Sequence, residues 1–204
     1  MLRTALEFLA EELNLYIKRK DKENFGNVDT VIVSNLMKPD GSFAVAADQG
    51  NDTFKIILTL VNLEEDRIAE SQQYFQKVND RIVINNPPLN MNLHVLFSVF
   101  TTNYVSGLRL LSYVIGFFQT NTVFDTETHP HLNDKVEANK PWQLIGRIIA
   151  DLHPISFEQQ NNLWAALGAK YMPSVIYRIR TVTFTDTEPK MEAPPITEVV
   201  ITDS

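Results

Sequence analysis

The runs PPLNMNLHVLFSVF (residues 87–100) and YVSGLRLLSYVIGFF (residues 104–118) form the least charged part of the chain. Between Ile82 and Phe124 the only formally charged side chain is Arg109. The first run starts directly after its two prolines and alternates apolar with polar residues, which is typical of a strand. The second run has the length and apolar content of a buried helix, in which two glycines allow a close approach. This composition predicts that a strand and the helix after it form the most buried part of the molecule.

The flanking segments carry the patterns of further helices and strands. In residues 2–17, apolar side chains recur at spacings of three and four, which predicts a helix with one apolar face. The polar face of this helix is mostly glutamate, so we expect it to pack on a sheet rather than lie on a membrane. Ser156 is a favourable N-cap for a helix over residues 157–168, and Gly168 can end that helix. Strands are predicted within residues 28–36, 52–63, 81–84, 142–155 and 174–184.

These elements predict one α+β domain over residues 1–184, in which helices pack on a mixed, largely antiparallel sheet. The remaining residues, 185–204, hold three prolines and five acidic side chains against a single lysine, Lys190. Proline and like charges predict that this segment is an extended acidic tail. Within the tail, residues 196–202 are β-prone enough to pair with the edge of a sheet.

Net charge and composition argue against several classes of function. The 204 residues include 18 basic and 25 acidic side chains, and the net charge of −7 has the wrong sign for a surface that holds nucleic acid. The absence of cysteine removes disulfides, thiolate catalysis and cysteine metal sites. Asparagines and Arg109 interrupt the apolar region, so no window of about 18–20 apolar residues is left for a membrane span. We therefore expect neither a nucleic-acid partner nor a membrane span, and acidic residues near the N-terminus predict no secretion signal.

The motifs of common enzymes and cofactor sites are missing from the sequence. The seven glycines are scattered singly, whereas a phosphate-binding loop needs several at fixed spacing. There is no GxSxG nucleophile motif and no HExxH zinc helix. These absences argue against the common hydrolases and phosphate-binding enzymes but leave an unfamiliar enzyme open, and we expect no cofactor.

One segment, FDTETHPH (residues 124–131), has a composition that a metal ion could use. Asp125, Glu127, His129 and His131 alternate, so an extended strand would point all of them to one side. Pro130 interrupts this strand and the surrounding residues are polar, which favours a solvated loop. A metal-dependent enzyme or ligand-binding domain built on these residues is the rival interpretation from a different functional class.

Two further histidines lie in apolar surroundings. His94 is in the middle of a predicted apolar strand, and His153 directly precedes Pro154. Either could act as a general base only if a carboxylate or nucleophile lay nearby. The pattern favours core histidines whose nitrogens are hydrogen-bonded.

Three blocks of the sequence are similar to a known family. They are FKIILTLVNLEEDR (54–67), NPPLNMNLHVLFSVF with YVSGLRLLSYVIGFFQTNTVF (86–124), and SFEQQNNLWAALGAKYMPSVIYRIRTVTF (156–184). Together with the N-terminal helix, they resemble the cap proteins of extracellular contractile injection systems. These caps are the tail-terminator relatives found in antifeeding-prophage-type and Photorhabdus-virulence-cassette-type particles. The resemblance runs in order over nearly all of residues 1–184, and residues 185–204 have no match in it.

The resemblance implies a tail-terminator-like fold and a structural role without catalysis. Six copies are expected to form a ring on the distal end of the inner tube and contractile sheath, where they end growth and stabilise the extended sheath. The implied partners are the inner tube protein, the sheath protein and further copies of this chain. The implied location is the bacterial cytoplasm during assembly and then the distal end of the particle. The residues leave two alternatives open. One is another neck or tail-completion component of the same kind of particle, and the other is a cytosolic binding module.

Candidate partner-binding residues follow from unusual positions in the sequence. Arg109 must find an ion-pair partner, which could lie across a subunit contact, or reach solvent. Trp164 suits core packing, although tryptophan is also enriched among interface anchors. In the tail, we hypothesise that a strand is added to a neighbouring subunit by Ile196, Val199, Val200 and Ile201.

Overall fold

The structure, a computed structural model, describes residues 1–45, 55–66, 75–78, 81–84, 89–140, 143–184 and 191–193. The helices in these ranges are α1 (Leu2–Lys20), α2 (Lys22–Phe25), α3 (Tyr104–Thr120) and α4 (Phe157–Leu167), with a 3₁₀ helix at Pro130–Asn133. The strands are β1 (Val31–Val33), β2 (Lys55–Glu65), β3 (Phe75–Val78), β4 (Arg81–Ile84), β5 (Leu89–Phe100), β6 (Val123–Asp125), β7 (Arg147–Leu152), β8 (Ser174–Phe184) and β9 (Met191–Ala193).

The main sheet has six strands in the order β1-β2-β5-β8-β7-β6. β1 pairs in parallel with β2, whereas the other described pairs of this sheet are antiparallel. β5 is the strand predicted from the uncharged run, and it lies between β2 and β8. Its Phe97 is opposite Leu58 on one side and Val175 on the other. The predicted fold class, an α+β domain with a mixed sheet packed by helices, is confirmed.

One face of the main sheet is covered by α1 and α3. The helical spacing of α1 directs Leu13 and Ile17 towards the sheet, and both are fully buried. From α3, the ring of Phe118 lies 5.2 Å from that of Phe97 on β5 and 4.2 Å from that of Tyr177 on β8, measured between centroids. These contacts belong to the main hydrophobic core, which joins both helices to the sheet.

The opposite face of the sheet is covered at one end by α4. A second, smaller core forms there between Trp164 and the buried side chains of Leu36, Ile57, Leu96 and Ile176. The rest of this face carries polar and charged side chains, which are described with the candidate site. The two faces of the sheet therefore differ in chemistry.

The predicted ends of α4 agree with its capping. Ser156 accepts a hydrogen bond from the N–H of Gln159 at 3.2 Å, and the Gln159 side chain accepts one from the N–H of Ser156 at 2.8 Å. This reciprocal pair is a capping box. At the other end Gly168 adopts φ 64°, the left-handed conformation that glycine reaches without a steric cost. Local sequence therefore determines both ends of this helix.

Some predicted elements differ from the observed ones. The strand expected within residues 28–36 is limited to Val31–Val33, and the polar segment 119–141 contains β6 and the 3₁₀ helix. α3 is buried along one face only. A side chain at Gly107 would come within 2.9 Å of Thr101, so the predicted close approach at that glycine is present.

A second sheet of three strands has the order β3-β4-β9. β9 lies inside the predicted tail and pairs antiparallel with β4, with Met191 opposite Ile84. The boundary between residues 184 and 185 stays a prediction. Over the described ranges, no helix combines the length and the apolar content that crossing a membrane requires.

Candidate functional site

The outer face of α3 presents apolar side chains to solvent. Gly107, Leu110, Val114 and the two phenylalanines at its C-terminal end turn towards the core, so the intervening positions point outward. At the start of the helix, Tyr104 is 65% exposed and Val105 is 71% exposed. Leu108 and Ile115 continue this exposed apolar face along the helix. We call these four residues, Tyr104, Val105, Leu108 and Ile115, the α3 face. Clustered exposed apolar side chains are typical of interaction surfaces.

The start of α3 is fixed by its own sequence. Asn103 is extended and accepts a hydrogen bond from the N–H of Ser106 at 3.1 Å, which caps the helix. This cap sets the orientation in which Tyr104 and Val105 leave the first turn. The sequence-based description of α3 as a buried helix missed this exposed face, because apolar residues occupy both sides of the helix.

Arg109, a predicted partner-binding residue, lies on α3 next to this face and its side chain is half exposed. Its Nη1 atom is 3.8 Å from Oδ2 of Asp21, the residue between α1 and α2. Asp21 also accepts a hydrogen bond from Tyr113 at 3.0 Å. Burial tends to raise the pKa of Asp21, but hydrogen bonds from Asn24 and Tyr113 outweigh it and lower that pKa below its ordinary value. Arg109 thus has an ion-pair partner within the chain, and a contact with another subunit stays a prediction.

Trp164, the predicted contact residue on α4, is only 5% exposed. Its indole ring belongs to the second core, and the partly exposed Tyr171 packs edge-on against it at 5.7 Å between centroids. By contrast Phe157, the first residue of α4, is 91% exposed. The apolar groups that α4 and the following turn offer to a partner are therefore Tyr171 and Phe157, of which the sequence did not single out Phe157. A contact through Trp164 itself stays a prediction.

The tail residues proposed for strand addition, Ile196, Val199, Val200 and Ile201, lie outside the described residues. The nearest described segment is β9, which ends at Ala193 and is paired with Ile82 of β4. Strand addition by the tail stays a prediction.

The alternating residues at 125–131 do not converge on one site. Asp125 accepts hydrogen bonds from the N–H and the hydroxyl of Thr128, both at 2.8 Å. These bonds lower the pKa of Asp125. His131 lies 2.7 Å from Glu12 on α1, measured from Nε2 to Oε1, and Nε2 of His129 is 3.8 Å from Oε2 of the same carboxylate. The segment therefore attaches to α1, and among the described residues no group of three or more His, Cys, Asp or Glu could hold a metal ion.

His94 is buried and His153 is partly exposed, and the two histidines are in contact with each other. The rings of His94 on β5 and His153 after β7 are 4.5 Å apart between centroids, at an angle of 80°. Nε2 of His94 lies 3.1 Å from Oε2 of Glu64 on β2, but off the direction required for a hydrogen bond. Burial, then the neighbouring His94 and Arg178, lower the pKa of His153.

A cavity of about 270 Å³ opens beside these rings. Its described lining consists of Val61, Asn62, Glu64, His94, His153, Ile155, Gln159, Leu163 and Ile176. The lining thus places the carboxylate of Glu64 next to the imidazole of His94. A nearby carboxylate was one of the conditions under which a histidine could act as a general base. It contains no serine, threonine or cysteine that an imidazole could activate as a nucleophile.

Comparisons with known proteins agree with the resemblance noted in the sequence. A family model described as the Pvc16 N-terminal domain matches residues 4–198. The fold is similar to the PVC sheath/tube terminator of an extracellular contractile injection system in its extended state, with a TM-score of 0.56, 14% identity and 95% of this chain covered. It is also similar to the tube-terminating cap of the anti-feeding prophage, with a TM-score of 0.55, 12% identity and 96% of this chain covered. The chain spans 62% and 60% of the length of these two proteins. No curated protein sequence matches the chain.

Proposed function

Because the chain belongs to the Pvc16 N-terminal domain family, we propose that it is a cap that ends the inner tube and contractile sheath of a phage-tail-like contractile injection particle. In this role it binds the distal end of both polymers, stops their growth and stabilises the extended sheath. The role is structural and requires no catalysis. Its partners are the inner tube protein, the sheath protein and further copies of this chain.

The observation that carries this proposal is the shared fold. Two solved structures with the fold, over 95% and 96% of this chain, are a sheath/tube terminator and a tube-terminating cap. The family match covers both the described domain and part of the segment after residue 184.

We further propose that six copies assemble as a ring. A polymer ends when the terminal layer binds the last subunits on one face and lacks the docking surface for another layer on the opposite face. Around such a ring the contacts between neighbours are heterologous and close on themselves. The α3 face, Phe157 and Tyr171 are exposed apolar groups that contacts of this kind would bury.

The proposed location follows from the same role. The chain is made and assembled in the bacterial cytoplasm, and it then resides at the distal end of the released or membrane-associated particle. Residues 185–204 are proposed to act as an acidic extension of the domain. In that extension Ile196, Val199, Val200 and Ile201 would add a strand to a neighbouring cap or sheath subunit.

The test is electron microscopy of particles from cells that lack the gene and from cells complemented with it. A terminator predicts uncontrolled particle lengths, bare distal ends or prematurely contracted sheaths in the deletion, and normal particles after complementation. Normal particles with a normal cap in the deletion would contradict the proposal. Labelling of a tagged chain at a different layer of the particle would instead indicate another neck or tail-completion component.

A further inference from the structure

A row of polar side chains crosses the main sheet on the face that α4 only partly covers. In the register of the strands, His94 on β5 is opposite Asn62 on β2 and Arg178 on β8, and Arg178 is opposite Asp151 on β7. Because alternate residues of a strand share a face, the side chains of this row lie on the face opposite the main core. His153 follows β7 directly and brings its ring against His94.

His94 is the deepest member of this row. The residue is 5% exposed, and its Nε2 atom lacks a hydrogen-bond partner in the described structure. The carboxylate of Glu64 places an oxygen 3.1 Å from this nitrogen. A buried polar atom without a hydrogen bond is costly, so the ring of His94 is held in a position that is sensitive to changes around it.

The charged groups around His153 leave little compensation for a proton on its ring. Asp151 is 3.6 Å from Nη2 of Arg178 and 2.7 Å from Nε of Arg180, so its charge is matched by two arginines. α4 lines the cavity with the uncharged Gln159 and Leu163. A proton on His153 would therefore place a positive charge against the His94 ring and near Arg178, and Glu64 is the one carboxylate in the described lining of the cavity.

His153 is also the residue that connects this row to α4. Its backbone N–H donates to the carbonyl of Ile176 at 2.9 Å, and the capping residue Ser156 follows three positions later. Both rings and the side chains of Gln159 and Leu163 line the cavity of about 270 Å³. A positive charge on His153 would therefore act where the chain passes from the main sheet to α4.

We propose that the His94–His153 pair is a pH-sensitive contact between the main sheet and α4. When His153 is protonated, its charge next to the His94 ring and Arg178 loosens the segment from His153 to Ser156 and changes the packing of α4 and its exposed Phe157. When His153 is neutral, the edge-to-face contact of the two rings holds α4 in the observed position. This inference goes beyond the proposed capping role, because it states that proton concentration controls how α4 packs on the main sheet.

The direction of the pH effect follows from the environment of His153. Burial lowers its pKa in the folded chain below the ordinary value, so the unfolded chain binds this proton more tightly. The stability that His153 contributes is fully present above its unfolded pKa and is lost as the pH falls through that value towards the folded pKa. We therefore expect loosening under mildly acidic conditions.

The test uses the full chain with Trp142→Phe, which leaves Trp164 as its single tryptophan. Between about pH 7 and about pH 5 we expect the Trp164 fluorescence to change together with histidine ring signals in NMR, in the range where histidines titrate. His153→Gln should reduce the accompanying fall in melting temperature by about half or more. His131→Gln, at the histidine that pairs with Glu12 on α1, is the matched control and should leave the Trp164 transition in place.

Two results would overturn the proposal. One is a Trp164 signal that stays constant while the His153 ring titrates in the chain with the native histidines, a measurement that requires no histidine variant to fold. The other is a full pH response in His153→Gln. If that variant does not fold, His94→Gln removes the same ring pair and is expected to give the same reduced response.

Discussion

The side-chain amide of Asn14 on α1 hydrogen-bonds both backbone groups of Val31 on β1. Oδ1 of Asn14 accepts the N–H of Val31 at 3.0 Å, and Nδ2 donates to the carbonyl of Val31 at 3.0 Å. β1 is an edge strand of the main sheet, and these groups point away from β2. The amide therefore takes the place of a neighbouring strand and closes this part of the edge against pairing with another chain.

Replacing Asn14 by leucine should destabilise the chain. The N–H groups of Thr30 and Val31 and the carbonyl of Val31 would lose their buried partner. We expect a loss of about 2–4 kcal/mol in the free energy of unfolding, measured by chemical denaturation. Leu15→Ala, at the exposed neighbouring position of α1, is the control and should change the free energy by less than about 1 kcal/mol. Equal effects of the two substitutions would contradict the role given to Asn14.

A charge on the α3 face should weaken cap binding without unfolding the domain. Val105 and Leu108 are exposed, so Val105→Glu with Leu108→Glu should change the free energy of unfolding by about 1 kcal/mol or less. If this face contacts tube, sheath or another cap subunit, the double variant should fail to complement the deletion in electron micrographs. Gln119→Glu, an exposed polar position on the same helix, serves as the matched control. Full complementation by the double variant would show that the α3 face makes no essential contact.

Substitutions of Phe157 and Trp164 should distinguish an effect on partner binding from an effect on folding stability. Trp164→Ala removes a buried indole and should cost about 3–5 kcal/mol of folding free energy. Phe157→Ala removes an almost fully exposed ring and should cost less than about 0.5 kcal/mol. A defect in cap assembly with Phe157→Ala, measured by co-sedimentation with tube and sheath, would identify Phe157 as a contact residue. Normal co-sedimentation of this folded variant would exclude Phe157 from that role.

Two truncations can test the tail. Ending the chain after Ala193 retains β9, whereas ending it after Phe184 also removes β9 and its pairing with β4. We expect the first truncation to fold normally and to bind the particle less tightly, because it lacks Ile196, Val199, Val200 and Ile201. The measurements are melting temperature and attachment to particles. Wild-type attachment after the first truncation would contradict strand addition by these residues, and a defect specific to the second would assign the contribution to β9.

The elements that sequence predicted well are those whose signals are local. The alternation and low charge of residues 89–100 predicted β5, and the apolar spacing of α1 predicted its buried face. Ser156 and Gly168 predicted both ends of α4, because capping depends on residues within one turn. Short elements such as β6 were missed, since three residues carry too weak a pattern to distinguish a strand from a loop.

The candidate site was less accessible from sequence. The pattern named Arg109 and Trp164, but it could not show that the first pairs with Asp21 and that the second is buried between α4 and the main sheet. Which side of a helix faces the core depends on how the helix packs, and so Tyr104, Val105 and Phe157 emerge as exposed only in the folded chain.

The amino-acid sequence by itself determined most of the secondary-structure framework, the burial of β5 and the family to which the chain is similar. These features depend on composition, periodicity and capping, which act between near neighbours in the chain. The tertiary structure alone decided that Asn14 closes the edge of β1 and that His94 meets both Glu64 and His153. Such pairs join residues far apart in sequence, and their contacts depend on strand register and helix packing, which local patterns do not encode.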